Sequence, residues 1–436
     1  MDDAARPALT RAGPPAPAQP AGYGRGARVL SIGIAATGVV TFAYFSVASY
    51  VLDDVAYKQI SLLWSLLFVI VSVIYRPIEQ LLSRTIADRR ARGHEHDHPL
   101  RTPLTLQAGF ALAFLAVALV LREPIEEDLF DGSSTLYWIL VVAVLAYAAS
   151  YFARGWLAGH QWFGLYGGLV LLEATSRLAF AVAVAVGIAE GQSAVALGMA
   201  AAPFVSLVIV PWAFSRRPAA SDRARGGDEL GLGRGGRFAI AVLAVMLAEQ
   251  TLLNAGVLLA DATAEDAAVA GFVFNVLLIA RAPLQLFQAI QGSLLPHLAG
   301  LEAREGRDEF ARAIRVTVLA IAAFAGSVAL GLLLLGPFAM DILFDDAFTY
   351  GRWGLAVVAL GMGAHLVAGT LNQAALARDR AGAAALAWLS SAGAFVLFML
   401  SPLVDDELVR AEVGYCGAAV LLCAALAGVY RSGRRA

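Results

Sequence analysis

The residues of this chain most able to do chemistry are ionisable and amide side chains set inside apolar runs. Arg76, Arg177 and Arg281 interrupt stretches that otherwise suit hydrocarbon. A guanidinium stays charged and grips two oxygens at once, which suits the pyrophosphate of an anionic head group. Glu173, Glu249 and His365 are groups that can load and release a proton. Gln285 and Gln288, with Gln291 one step further, recur every three residues on a slowly drifting stripe of one helix, where amides can meet sugar hydroxyls or tie helices together. Pro77 and Pro283 each follow an arginine, and each frees a carbonyl one turn earlier, so a helix carrying them can bend. An ionisable residue at mid-bilayer costs about 2.5–3.5 kcal/mol, so every one of these groups calls for a partner or a wet cavity.

Each group has a plainer reading beside the functional one. Arg76, in "VIYRPIEQ", and Arg281 lie about 21–24 Å in from the outer ends of their helices. They either snorkel to the cytoplasmic head groups or face a central cavity as a cationic pair. Glu173 and Arg177, in "LLEATSRLAF", are spaced i, i+4 and are expected to neutralise one another, with a substrate or ion site as the alternative. Glu249, in "MLAEQTLLNAG", has no basic residue within a turn of its own helix. That makes it the best candidate for ion or proton coupling, or else a permanently neutral buried acid. His365 shares its span with Asn372 and Gln373 and is either a proton carrier or a packed core histidine.

These groups must be positioned by membrane-spanning helices. The 436 residues are 59% hydrophobic and 15% charged, and apolar runs of about 20 residues, each able to cross a ~30 Å core, recur along the chain. Twelve spans fit: 29–52, 60–82, 102–121, 134–153, 164–188, 194–214, 237–260, 267–299, 314–343, 353–377, 382–402 and 412–430. Among residues outside the spans, the proposed outer loops hold only Lys58, Arg122, Arg352 and Arg410 of the basic set and are short and acidic, while the inner loops and both tails carry the rest. This asymmetry places both termini in the cytoplasm.

The predicted organisation is a disordered Pro/Ala/Gly-rich tail (1–27), an N-terminal six-helix lobe (28–215), a linker (216–236), a C-terminal six-helix lobe (237–431) and a basic tail (432–436). Laying Pro77 on Pro283 sets "VIYRPIEQLL" against "IARAPLQLFQ". With an even number of spans in each half, this is a parallel repeat about an axis normal to the membrane. The fold class is therefore all-α and polytopic, with two lobes related by a pseudo-two-fold.

Several functions are excluded or weakened by composition. Lys58 is the sole lysine among 32 basic residues, a bias typical of a GC-rich bacterial genome, and no phosphate-cradling GxxxxGK[ST] loop exists. "HEHDH" (94–98) is a flexible His-rich tract without a supporting Cys/His cluster, so no metal and no cofactor are expected. Cys416 and Cys423 are two helical turns apart, about 10 Å, too far for a disulfide. Asp53 and Asp54 sit where membrane glycosyltransferases often hold acidic residues, but the outer loops are too short for the outer domain such enzymes use.

The segment from Asn254 ("NAGVLLADATAEDAAVAGFVFN…") resembles the polysaccharide-transporter branch of the multidrug/oligosaccharidyl-lipid/polysaccharide exporter superfamily. The features that carry the likeness are Gly271 at a helix start, Pro296, the Gly336-Pro337 pair and the "LNQAALARDR" turn, with "RGWLAGHQWFGLYGG" (154–168) in the first half. The resemblance implies two lobes around a central cavity, alternating access and no enzymatic activity. It also implies flipping of a polyprenyl-pyrophosphate-linked oligosaccharide from the inner to the outer leaflet of the bacterial cytoplasmic membrane. The implied partners are that lipid-linked oligosaccharide, the bilayer and a sugar polymerase or export apparatus, with no nucleic acid. On this reading Arg76, Arg281, Arg177, Gln285 and Gln288 hold the head group. The alternatives are a multidrug exporter of the same architecture, against which three intramembrane arginines argue, and a glycosyltransferase or ligase.

Overall fold

A computed structural model describes residues 23–91, 100–211, 232–263, 269–278, 307–344, 350–377 and 380–432. All regular structure among them is helical: α1 (Tyr23–Val51), α2 (Asp54–Ile74), α3 (Arg76–Ala91), α4 (Arg101–Val120), α5 (Ser134–Gly159), α6 (Phe163–Ala185), α7 (Gly191–Ser206), α8 (Leu232–Thr263), α9 (Val269–Leu278), α10 (Arg307–Leu343), α11 (Arg352–Ala377), α12 (Ala381–Met399) and α13 (Glu407–Ser432). Eleven spans among the described residues are long and apolar enough to cross a membrane, α2 and α3 together forming one of them. These match eleven of the predicted twelve. The eighth is described only as α9, so Arg281, Pro283, Gln285, Gln288, Gln291 and Pro296 lie outside the described residues, as does "HEHDH".

Helix starts follow from local chemistry. The Asp53 carboxylate accepts the Ala56 amide at 2.8 Å and the Ser133 hydroxyl accepts the Leu136 amide at 3.4 Å, so each caps its helix. Asp53 thus has a structural duty that accounts for an acid at this loop. Between α2 and α3 the interruption is the single residue Tyr75, whose backbone stays in the right-handed helical region, so the two run on as one span. Pro77 lies in the first turn of α3, where its missing N–H is tolerated.

The two halves pack in the same pattern. In the first, α1 lies on α6, α6 on α7 and α5 on α7; in the second, α8 lies on α12, α12 on α13 and α11 on α13. α4 stands apart, with little of its surface buried by protein. Between the lobes, α2 and α3 meet α8.

The hydrogen bonds and ion pair that join the lobes among the described residues gather at the ends which the loop charges place outside. Lys58 of α2 lies 3.3 Å from Asp131, in the turn before α5, and 3.3 Å from Asp261 of α8. Gln59 donates to the same Asp131 carboxylate at 2.7 Å. Tyr57 donates to the Asn275 side chain of α9, and the Tyr50 hydroxyl reaches the Ile342 carbonyl of α10 at 2.9 Å. Phe45 packs on Phe274 with ring centroids 4.5 Å apart. The outer side is closed by this seal.

On the opposite side of the N-terminal lobe, α3 and α5 approach unusually closely through Gly155 and Gly159. A Cβ at Gly155 would lie 2.8 Å from the Glu79 carbonyl oxygen, and one at Gly159 would lie 2.7 Å from the Ile86 Cβ. Small residues four apart are what lets membrane helices pack backbone to backbone. Gly155→Val is expected to wedge α3 from α5 and cost about 1–3 kcal/mol. Thermal unfolding in detergent beside the parent checks it: an unchanged midpoint would mean that the helices can separate freely.

Candidate functional site

Four residues of α5, Tyr147, Ser150, Tyr151 and Arg154, recur at helical spacings of three and four and so share one face. Opposite them, α6 presents Tyr166, Glu173 and Arg177, at intervals of seven and four. Where the faces meet they bury a polar cluster deep within the lobe. Arg154 and Ser150 both donate to Glu173, and Ser206, at the end of α7, adds a third bond at 3.2 Å. Glu173 is 1% exposed and Arg154 8%. At that burial neither charge is tenable without the other. The Arg154 guanidinium also lies 4.4 Å from the centre of the Tyr151 ring.

The expected Glu173–Arg177 pair is not formed. Glu173 takes its ion pair from Arg154 on the neighbouring helix, and Arg177 turns the other way. There it donates to the Tyr147 hydroxyl at 2.8 Å and stacks over Trp64 and Phe68 of α2, at 5.1 and 5.9 Å from the ring centres. An i, i+4 spacing makes a pair geometrically available, but a partner across a helix interface that brings two extra hydroxyl donors wins. Arg177 is 3% exposed, and its Nε has no acceptor. It is a buried cation held by a phenol and two ring faces, the arrangement in which cation–π attraction is strongest.

The cluster continues toward the inner side. Tyr166 donates to Glu79 of α3 at 2.7 Å, and the carboxylate of Glu79 feels both Arg154 and Arg76. After burial itself, the influence felt most by Arg76 is that of Glu249 of α8, across the lobe boundary, then of Tyr151 and Glu79. The two form no ion pair, but the cation whose field reaches Glu249 comes from the opposite lobe and is invisible to any search along its own helix. Both Arg76 and Glu249 are half-buried. Of the residues singled out in the sequence, Arg76, Glu249 and Glu173 with Arg177 are brought to one region.

His365 is elsewhere. It sits in the core of the second lobe, 2% exposed, with Nδ1 3.2 Å from the Tyr415 hydroxyl and its ring near Trp388. Asn372 accepts the Trp388 indole N–H at 3.2 Å. Three α-helices are tied together by these contacts.

Sequence reasoning missed Arg154, Tyr166 and Ser150, and it gave Glu79, in "VIYRPIEQ", no role. Arg154 falls at the inner edge of its predicted span and reads as a loop residue there. The helical spacing of Tyr147, Ser150, Tyr151 and Arg154 is the signal that identifies it. Among the described residues no group of three or more His, Cys, Asp or Glu side chains is placed to hold a metal ion.

A separate crevice of about 460 Å³ opens between α4, α5 and the turn after α7. Leu100, Leu104, Leu145, Phe152, Trp156 and Leu207 line it, and its polar atoms are few.

No protein-family model and no curated protein matches the chain. Solved structures do match it in fold. An inward-facing multidrug-resistance MATE family transporter of the MOP superfamily aligns with a TM-score of 0.68 at 12% identity, over 92% of this chain and 94% of that one. The Vibrio cholerae MATE transporter VcmN, in mutant form, aligns at 0.60 and 13% identity over 95% and 98%. The eukaryotic MATE transporter AtDTX14 aligns at 0.62 and 12% over 95% and 98%. The fold expected from the sequence, two helical lobes in parallel repeat, is the fold these structures share.

Proposed function

We propose that the chain is an ion-coupled, alternating-access exporter of amphipathic organic molecules, working in the bacterial cytoplasmic membrane. The observation that carries this reading is that Arg76 of α3 and Glu249 of α8 stand on facing helices of the two lobes, close enough to influence one another without forming an ion pair, while Lys58 and Asp261 join the lobes at the other end. Opposite charges facing one another across the lobe boundary couple the motion of the lobes to whatever neutralises either member, a proton or a cargo charge. The likeness in fold to a transporter described as a multidrug resistance MATE family transporter supports the choice of cargo.

The electrostatics support it as well. Of the arginines described inside the N-terminal lobe, Arg154 is paired with Glu173 and Arg177 is engaged by Tyr147, Trp64 and Phe68, so neither is free to hold an anionic head group. The half-exposed Glu79 and Glu249 leave acidic groups available to an organic cation. No step here breaks or forms a covalent bond.

A second reading, flipping of a lipid-linked oligosaccharide, is favoured by the apolar crevice beside α4, whose volume and lining suit a hydrocarbon chain that stays in the bilayer.

Both readings meet one test. Purified protein in vesicles carrying a proton gradient is offered either a fluorescent organic cation or a fluorescent polyprenyl-pyrophosphate sugar. The expected result is movement of the cation, abolished in Glu249→Gln with the fold intact. Movement of the lipid-linked sugar alone would establish the second reading in place of the first.

A further inference from the structure

We propose that the crevice between α4, α5 and the turn after α7 is a binding site for a neutral, lipid-soluble small molecule that carries a hydrogen-bond donor, a phenol being the simplest. Its volume of about 460 Å³ lies within the range of small-molecule sites, roughly 300–1,000 Å³. Phe152 and Trp156 give it aromatic walls, and none of the described residues that line it is ionisable. Gln107 is the one polar side chain among them.

The pattern of α4 shows how a polar residue comes to stand there. Most of the helix faces outward, and the residues it buries, Pro103, Gln107, Phe114 and Ala118, recur at spacings of four, seven and four, so they share the face turned to α5. Two side-chain hydrogen bonds hold that face in place. Near the outer end the Tyr137 hydroxyl donates to the Ala118 carbonyl at 2.8 Å, and toward the inner end the Gln107 amide nitrogen donates to the Ala148 carbonyl at 2.7 Å. From that second bond the crevice runs to the inner ends of the helices, where Leu100 and Trp156 line it. A carbonyl only accepts, so Ala148 fixes the nitrogen toward α5 and leaves the amide oxygen for another partner. Among the described residues that oxygen has none, on a side chain only 7% exposed. An unmet buried acceptor is destabilising, and a ligand that brings the donor supplies what the protein lacks.

Depth decides between occupants. Gln107 is five residues inside the span Thr102–Val120, about 8 Å from its inner end, and stands at the deep end of the crevice. A phospholipid chain entering from the inner leaflet keeps its head group at the surface and sends a terminal methyl group to that depth, where the amide oxygen stays unmet. A charged molecule would shed its hydration among side chains that offer no counter-charge. A neutral molecule with one O–H or N–H group and an apolar body satisfies both conditions, its donor foremost and its body against the aromatic walls. This class differs from the organic cation assigned to the region of Arg76 and Glu249, so the crevice adds a second kind of ligand. It also lies on the back of α5. Leu145, Phe152 and Trp156 line it, while Tyr147, Ser150 and Arg154 of the same helix serve the buried polar cluster. An occupant bears on the far face of the helix that holds Glu173.

Photolabelling of the full chain in lipid vesicles tests the site and needs no transport. The probes are a diazirine-bearing phenol and its methyl ether, which lacks the donor. Labelling is mapped by peptide and normalised to Leu112 and Val120, which face outward on α4. On that scale the phenol is expected on Leu104, Leu145 and Phe152 at roughly two- to tenfold the level of the ether, the range one hydrogen bond allows. Gln107→Met keeps the length and removes the amide, so the phenol should fall to the level of the ether. Ala149→Phe, at an exposed position of the wall, fills the space and should remove both probes from the crevice while the outward positions keep theirs. Should Gln107→Met fail to fold, the two probes compared in the parent and in Ala149→Phe carry the test. Equal labelling of the crevice by phenol and ether in the parent would overturn the proposal, since a groove that takes any hydrocarbon, a lipid chain included, has no use for a donor. So would a phenol preference that survives Gln107→Met. Failure of cation transport leaves these results untouched, so the two claims fall separately.

Discussion

Arg154→Met is expected to destabilise the protein by about 3–5 kcal/mol, the largest single effect on folding that the structure implies. The reason is the partner left behind. Glu173 is almost wholly buried, and two hydroxyls, Ser150 and Ser206, cannot replace a guanidinium as counter-charge. The arginine stem also fills space against Tyr151, which methionine retains in part, so the loss reports charge rather than volume. Adding Glu173→Gln should recover most of the stability, because removing both members of a buried pair is far cheaper than removing one. Thermal unfolding of the parent, both single variants and the double variant closes the cycle. A double variant no more stable than Arg154→Met would show that the pair is not the stabilising unit.

The second large effect is conformational. Lys58→Ala is expected to open the outer side. Its ammonium holds Asp131 and Asp261 together from opposite lobes while nearly shielded from solvent. Hydrogen bonds to charged groups contribute about 1.5–3 kcal/mol, and each 1.4 kcal/mol is a factor of ten in population. The sealed form should therefore lose roughly ten- to a hundredfold in relative occupancy. In a background lacking Cys416 and Cys423, cysteines at Tyr50 and Ile342 joined by a bifunctional thiol reagent long enough to replace the tyrosine side chain report this, since that side chain bridges the lobes in the closed form. Cross-linking should fall sharply in Lys58→Ala and persist in Lys58→Arg. Equal cross-linking in all three would mean that the aromatic contacts between Phe45 and Phe274 maintain the closure unaided.

What could be read from the sequence divides along the range of the interaction. Span number, lobe repetition and the outer position of the acidic loops follow from hydropathy and charge, which are properties of local segments. The pairing of charges does not. Glu173 was assigned to Arg177 because the two share a helix, whereas the partner that serves it, Arg154, is on another. Glu249 has no basic residue within a turn of its helix, and the cation whose field reaches it, Arg76, belongs to the other half of the chain. Pro77 reads in the sequence as a flexure, whereas it lies in the first turn of α3 within one continuing span. The spacing of Gly155 and Gly159 takes its meaning only from the neighbouring helix. Lys58 was noticed for its rarity in composition, while its role depends on three segments meeting at one end of the molecule.

That rarity has a practical side. A reagent selective for primary amines finds one side-chain target in this chain, and in the closed form that amine is nearly buried and paired with two carboxylates. Acylation at that position, read by peptide mapping so that the terminal amine is counted apart, would time the exposure of the extracellular vestibule in an unaltered chain, without a label engineered into it.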